Sequence, residues 1–260
     1  MGASNMRLIS QADEEGHYMR RHNGMAGKPR KGCKDMWNAF MLDGVTPDHE
    51  DIPFCPTTAI ETPKGLIAFW DLKTIHKREM RAGNVDYHVD AFAHFYGDDQ
   101  KFDGPREGVW EKPYDALEIL RHCDGFITPD FSTNLDFLDP IRRYNTMRMR
   151  AFGAWAGQKV PCLNNVRWGW ADTYCYDFAG LPSESVYAIG TVASDLRDRN
   201  AMQFFECGLR EMVRVLRPKT IIVYGSANYE CLRSLEGKGI KVVSFDSKTN
   251  LSHGKEMPSE

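Results

Sequence analysis

From Gly65 onward the chain repeats one unit. A short, almost continuous apolar run is closed by a polar residue and followed by a stretch of helical periodicity. The apolar runs cover 66–70, closing at Asp71, and 89–96, closing near Asp98 and Asp99. The next run, 125–128, leads into Pro129-Asp130-Phe131-Ser132, and 160–163 closes at Asn164-Asn165. The last three are 185–192, closing at Ala193-Ser194-Asp195, 220–224, closing at Gly225-Ser226, and 240–245, closing at Asp246-Ser247. Helical stretches are expected at 114–122, 140–158, 200–216 and 230–236. The clearest is 200–216, where Met202, Phe205, Leu209, Met212, Val213 and Leu216 share a face. Prolines mark the starts of the first two.

Strands that alternate with helices pair in parallel through right-handed crossovers. Runs this continuously apolar fit a sheet covered on both faces. Seven such runs are too many for half a barrel and one short of a full (β/α)₈ barrel, with a weak eighth strand read around Tyr174-Cys175-Tyr176. The expected fold class is therefore α/β, a parallel (β/α) barrel-like sheet related to the TIM barrel, complete with the eighth strand and incomplete without it. An open doubly wound sheet is the competing architecture. No G-x-G-x-x-G follows any strand, which disfavours a dinucleotide-binding version of it.

The chain has 260 residues, 42% of them apolar, enough for one barrel-sized domain. It divides into a polar, irregular N-terminal extension over 1–55, the barrel-like domain over 56–250 and a frayed tail over 251–260. The extension carries a basic run at Lys28-Pro29-Arg30-Lys31-Gly32-Cys33-Lys34, either a solvated surface or a phosphate-contacting arm. Net charge is −3 and the pI is near 6.3, against a strongly basic non-specific DNA binder. Seven scattered cysteines without a C-x-x-C pair exclude a zinc ribbon and a secreted disulfide framework. The eight histidines show no ligand spacing, so neither metal nor cofactor is expected. The opening MGASNMRLIS has no apolar signal core, and no run reaches membrane-spanning length. The expected location is the cytoplasm, with free thiols.

Functional groups of parallel α/β folds gather at the carboxyl ends of the strands. A mouth of carboxylates and amides suits acid–base work and hydrogen-bonded recognition of a polar ring, although polar residues there also serve as helix caps. Asp130 stands out because Pro129 fixes the backbone that aims it. Asp246 closes the last strand and would share one mouth with Asp130, giving the two carboxylates that glycosidic-bond chemistry divides between nucleophile and proton transfer. Arg143, Arg148 and Arg150 on the long helix are candidate phosphate clamps. His94, Trp168 and Trp170 read first as packing residues, with base stacking open to the tryptophans.

The stretches Thr128-Pro129-Asp130-Phe131-Ser132, Tyr144-Asn145-Thr146-Met147-Arg148, Gly180-Leu181-Pro182, Gly208-Leu209-Arg210-Glu211-Met212 and Pro218 through Gly225 resemble an uncharacterised family of phage and mobile-element proteins. The order of motifs is also similar to the tRNA-guanine transglycosylases and their DNA-modifying phage relatives, which are TIM barrels. Thr128-Pro129-Asp130-Phe131-Ser132 stands where that family has a Thr-Asp-Ser stretch. Ala188-Ile189-Gly190-Thr191-Val192-Ala193 is similar to its base-contacting strand, and Tyr224-Gly225 and Phe245-Asp246 follow in its order. The family's double glycine, its arginine loop after the nucleophile and its zinc subdomain have no counterpart.

That resemblance implies exchange of guanine in DNA, or RNA, for a 7-deazaguanine base, protecting a phage genome from restriction. Asp246 would be the nucleophile and Asp130 would manage protons. Ser132, Asn164, Asn165, Gly190, Tyr224 and Gly225 would bind the deazapurine. The alternative is a non-catalytic nucleic-acid-binding accessory protein of phage or mobile-element replication. An inert interaction domain is a third.

Overall fold

A computed structural model describes Gly32 and residues 34–59, 61–192 and 194–247. Most of the extension, including all of the basic run but Gly32 and Lys34, lies outside the described residues, as do Ala193 and the tail. The elements are β1 (Leu66–Ala68), α1 (Phe69–Arg81), β2 (Val89–His94), α2 (Pro113–Leu120), β3 (Cys123–Ile127) and α3 (Asp139–Ala156). They continue as β4 (Cys162–Asn165), α4 (Tyr174–Asp177), β5 (Val186–Gly190), α5 (Arg199–Leu216), β6 (Thr220–Tyr224), α6 (Glu230–Glu236) and β7 (Lys241–Phe245).

All seven strands are parallel, and each pairs with the next in sequence. A doubly wound sheet reverses its strand order partway; this one never does. With every crossover stepping the same way and of one hand, the helices fall on one face. The other face must then bury itself, and the sheet curls into a half-barrel. The rings of His94 on β2 and Tyr224 on β6 have centroids 4.2 Å apart. In a flat sheet, four strand spacings would separate them by about 19 Å.

The curl produces two kinds of core. Inside it, Phe92, Ile127, Leu163, Ala188, Ile222 and Tyr224 pack with Val243 and Phe245. Between sheet and helices lie two outer cores, one around Phe95, Phe126 and Phe152 and one around Tyr187, Leu209, Met212 and Val223. The alternation is plain on β6, where Ile221 and Val223 face helices and Ile222 and Tyr224 face inward. The interior is packed with side chains.

Three expectations are corrected. Seven strands are not too many for half a barrel: the sheet runs from β1 to β7 without closing on itself. The run 66–70 is not one strand: β1 stops at Ala68 and α1 begins at Phe69, which puts Asp71 in the first turn of a helix. Five apolar residues suit either period. The helix wins because Phe69 and Leu72, three apart, bury together, with Asp71 at its positive end and Arg78 and Arg81 at its negative end. The weak eighth strand is instead the single helical turn α4. The Asp177 carboxylate accepts hydrogen bonds from Thr173 Oγ1 at 2.5 Å and the Gly169 amide at 2.7 Å, which closes a local turn.

The segment preceding β1 packs irregularly against the barrel, as its mix of aromatics and prolines implies. Met41, Ile52 and Cys55 are buried. Asp48 accepts from the Gly180 amide at 2.7 Å, and the Thr58 amide donates to the Cys162 carbonyl at 3.0 Å. Among the described residues no helix is long and apolar enough to cross a membrane.

Candidate functional site

The carboxyl ends of β2 through β6 carry a connected polar network. Asn165, the last residue of β4, donates from Nδ2 to Asp130 Oδ1 at 2.7 Å. Its Oδ1 accepts from the Tyr96 hydroxyl at 3.0 Å. Arg167 reaches the other oxygen of Asp130 at 3.0 Å. The Asp130 side chain is 14% exposed, so this is a largely desolvated ion pair with a second donor fixing the carboxylate plane. Burial, reinforced by the charge of Asp130, pushes the Tyr96 phenol well above its ordinary range, so Tyr96 stays a neutral donor.

Beneath this network lies an aromatic floor. Tyr96 stacks on Tyr224 with centroids 5.1 Å apart, and His94 packs against Tyr224. His94 Nδ1 accepts from the Tyr96 amide at 3.2 Å. Gly190 is required here: a Cβ would come 2.9 Å from the Tyr96 ring. Gly225 has φ +112°, a conformation that L side chains rarely adopt, and its amide donates to the Phe245 carbonyl at 2.8 Å. Next to it, Thr191 donates to the Ser226 carbonyl at 3.0 Å.

The candidates read from the sequence divide. Asp130, Asn165, Gly190, Tyr224 and Gly225 come together at one rim. Ser132 lies alongside, held by Asp99, which accepts from its amide at 3.1 Å and its hydroxyl at 2.9 Å. Asp246 follows β7, so parallel pairing puts it at the same end of the sheet as Asp130, where it is exposed. Asn164 alternates to the outer face, donating to the Cys55 carbonyl at 3.0 Å, away from the rim.

Each of the three candidate arginines of α3 has partners within the protein. Arg150 is 1% exposed and donates to the carbonyls of Ala179, Asn165 and Asp177, so its guanidinium holds the interior together. Arg148 pairs with Asp103 at 2.7 Å and lies over Phe131. Arg143 pairs with Glu50 at 3.0 Å and lies over Tyr176. Trp168 packs against Phe205, whereas Trp170 is 54% exposed.

Sequence reading missed Tyr96 and Arg167 and passed over His94. The signal was period two. His94 and Tyr96, like Asn165 and Arg167, are two apart, so the inward side of a strand continues past its last ladder bond.

A family model described as a domain of unknown function, DUF4417, matches residues 51–246, a span that takes in every strand and the whole rim. The chain belongs to the DUF4417 family. It is 30% identical over 200 residues to the Gene 1 protein of Mycobacterium phage D29, a match covering 76% of this chain and 68% of that protein. It is 28% identical over 158 residues to the Gene 1 protein of Mycobacterium phage L5, covering 58% of this chain and 66% of that one. This DUF4417 chain thus has phage proteins among its relatives and matches about two thirds of their length. No solved structure matches it significantly.

Proposed function

We propose that this DUF4417 protein binds a guanine-like base at the rim of its half-barrel and exchanges it in DNA. The observation that carries the reading is the carboxylate of Asp130, fixed by Asn165 and Arg167 beside the Tyr96–Tyr224 stack. Each carboxylate oxygen has two acceptor sites, and each is engaged by one of these donors. One site per oxygen remains, a match for two adjacent N–H donors on the edge of a heterocycle. Guanine and 7-deazaguanine carry such a pair in their ring N–H and exocyclic amine. Both partners of Asp130 are donors, so Asp130 reads the base as an acceptor, a role better suited to its surroundings than the proton transfer expected from sequence.

The exchange would run through Asp246. Its carboxylate attacks the sugar anomeric carbon, the bond to guanine breaks, and the base leaves with the bonding pair and takes up a proton from water. The incoming base then attacks the same carbon, loses its proton to water and releases the Asp246 carboxylate as the ester bond breaks. The target nucleotide must leave the base stack first. The accessory-protein reading rests on the basic run, which lies mostly outside the described residues, and on the arginine helix. There Arg148 and Arg150 are engaged internally and Arg143 pairs with Glu50 at the surface.

Calorimetric titration with guanine and 7-deazaguanine tests the recognition step. Wild-type protein binds both and discriminates against adenine, and Asp130→Asn, which swaps one acceptor for a donor, weakens binding by at least about tenfold. Binding of guanine and adenine alike, or Asp130→Asn binding as wild type, contradicts the assignment.

A further inference from the structure

The opposite rim of the half-barrel, at the amino ends of the strands, gathers histidines that the sequence scatters. His88 immediately precedes β2, Asp90 is its second residue, and Asp124 is the second residue of β3. Val89 pairs with Cys123, so the register of two neighbouring parallel strands sets these three side by side. The ladder then shifts register between Val89 and Phe92. Such an irregularity re-aims side chains from the ordinary alternation.

His88 Nε2 lies 2.9 Å from Asp124 Oδ1 and 3.8 Å from Asp90 Oδ1. The three ligand atoms all fall within 4.8 Å of one another, and no other group of His, Cys, Asp and Glu side chains meets that criterion among the described residues. Ligands about 2.1 Å from a tetrahedral ion stand about 3.4 Å apart, so these atoms need only small rotations to close on one centre. The Asp90 side chain is 88% exposed and free to make them. A single imidazole nitrogen facing two carboxylates can satisfy only one of them with a proton. A divalent cation satisfies all three.

From this geometry we infer that His88, Asp90 and Asp124 form a binding site for a divalent transition cation such as zinc, manganese or cobalt. One nitrogen and two oxygens suit borderline metals, and three protein ligands leave a position for water. The ion would join β2 to β3 where their ladder is irregular, at the end of the barrel away from the Asp130 rim. It takes no part in the base chemistry, so the two proposals stand or fall separately.

The test uses the full chain stripped with a chelator and titrated with cobalt, followed by visible absorption and thermal melting. One ion binds per chain with a nitrogen–oxygen spectrum and raises the melting temperature. His88→Gln and Asp124→Asn each weaken binding by at least about tenfold, whereas Cys175→Ser with Cys207→Ser leaves it unchanged. These ligands are exposed or half-buried, so the variants keep the wild-type circular dichroism. Absence of binding up to about 1 mM cobalt overturns the site. So does a thiolate spectrum, or binding that survives His88→Gln but is lost in His76→Gln with His122→Gln.

Discussion

Asp177 shows how one buried carboxylate can govern the response to pH. It is 3% exposed, and burial pushes its pKa up to about 6 from 3.8, against the opposing pull of Thr173, Gly169, Arg150 and Arg142. A carboxyl whose pKa is raised by folding favours the folded state most when protonated. Its contribution is full below about pH 4 and is lost as pH rises through about 6, a change of about 3 kcal/mol. Asp177→Asn stays neutral throughout. The stability difference between variant and wild type, from urea unfolding, therefore moves in the variant's favour by up to that amount across the interval. A constant difference contradicts the burial argument. Arg150 belongs to the same interior cluster, which is why its helical spacing from Arg143 misled: shared sequence period says nothing about which face is buried.

At the scale of elements, α5 is set against the barrel by a glycine. A Cβ on Gly208 would overlap the Trp168 indole, which is itself packed on Phe205. Gly208→Ala gains up to about 1 kcal/mol of helix propensity. It also forces the helix or the indole aside, at about 1–3 kcal/mol or more. A net loss of stability by thermal melting is expected, and a gain would mean that Trp168 yields freely. The same helix was legible in sequence almost to its ends, because its apolar face repeats over 18 residues. β6 and α6 were legible for a related reason, as Pro218, Gly225 and Gly237 punctuate them. α1 was not legible, because Phe69 and Trp70 continue the apolar run of β1 with no turn residue between them. α4 was not, because Tyr174 and Tyr176 copy strand alternation while the interaction that decides the matter comes from Asp177.

At the scale of the molecule, the order of strands was readable because alternation of strand and helix leaves few parallel topologies. The curl was readable too, as a barrel-like sheet, but its extent was not: the expected eighth strand is a helical turn and the sheet stops at a half-barrel. It is the curl that carries β2 to β6 and builds the rim from His94, Tyr96, Asn165, Arg167 and Tyr224. Asp130, Asn165 and Gly225 were found in sequence as strand-end residues, and Gly190 through the resemblance to the transglycosylases. Tyr96 and Arg167 were hidden because their partners lie on other strands. Asp130 and Asp246 at one end of a parallel sheet are the frame on which the proposed base exchange rests. The direct test is incorporation of labelled guanine or 7-deazaguanine into DNA by wild-type protein and by Asp246→Asn, with thermal melting as the control for folding. Wild type should incorporate label. The nearly isosteric amide should abolish incorporation while changing stability by no more than about 1–2 kcal/mol at an exposed position. Full activity of Asp246→Asn, or no incorporation by folded wild-type protein, would contradict base exchange.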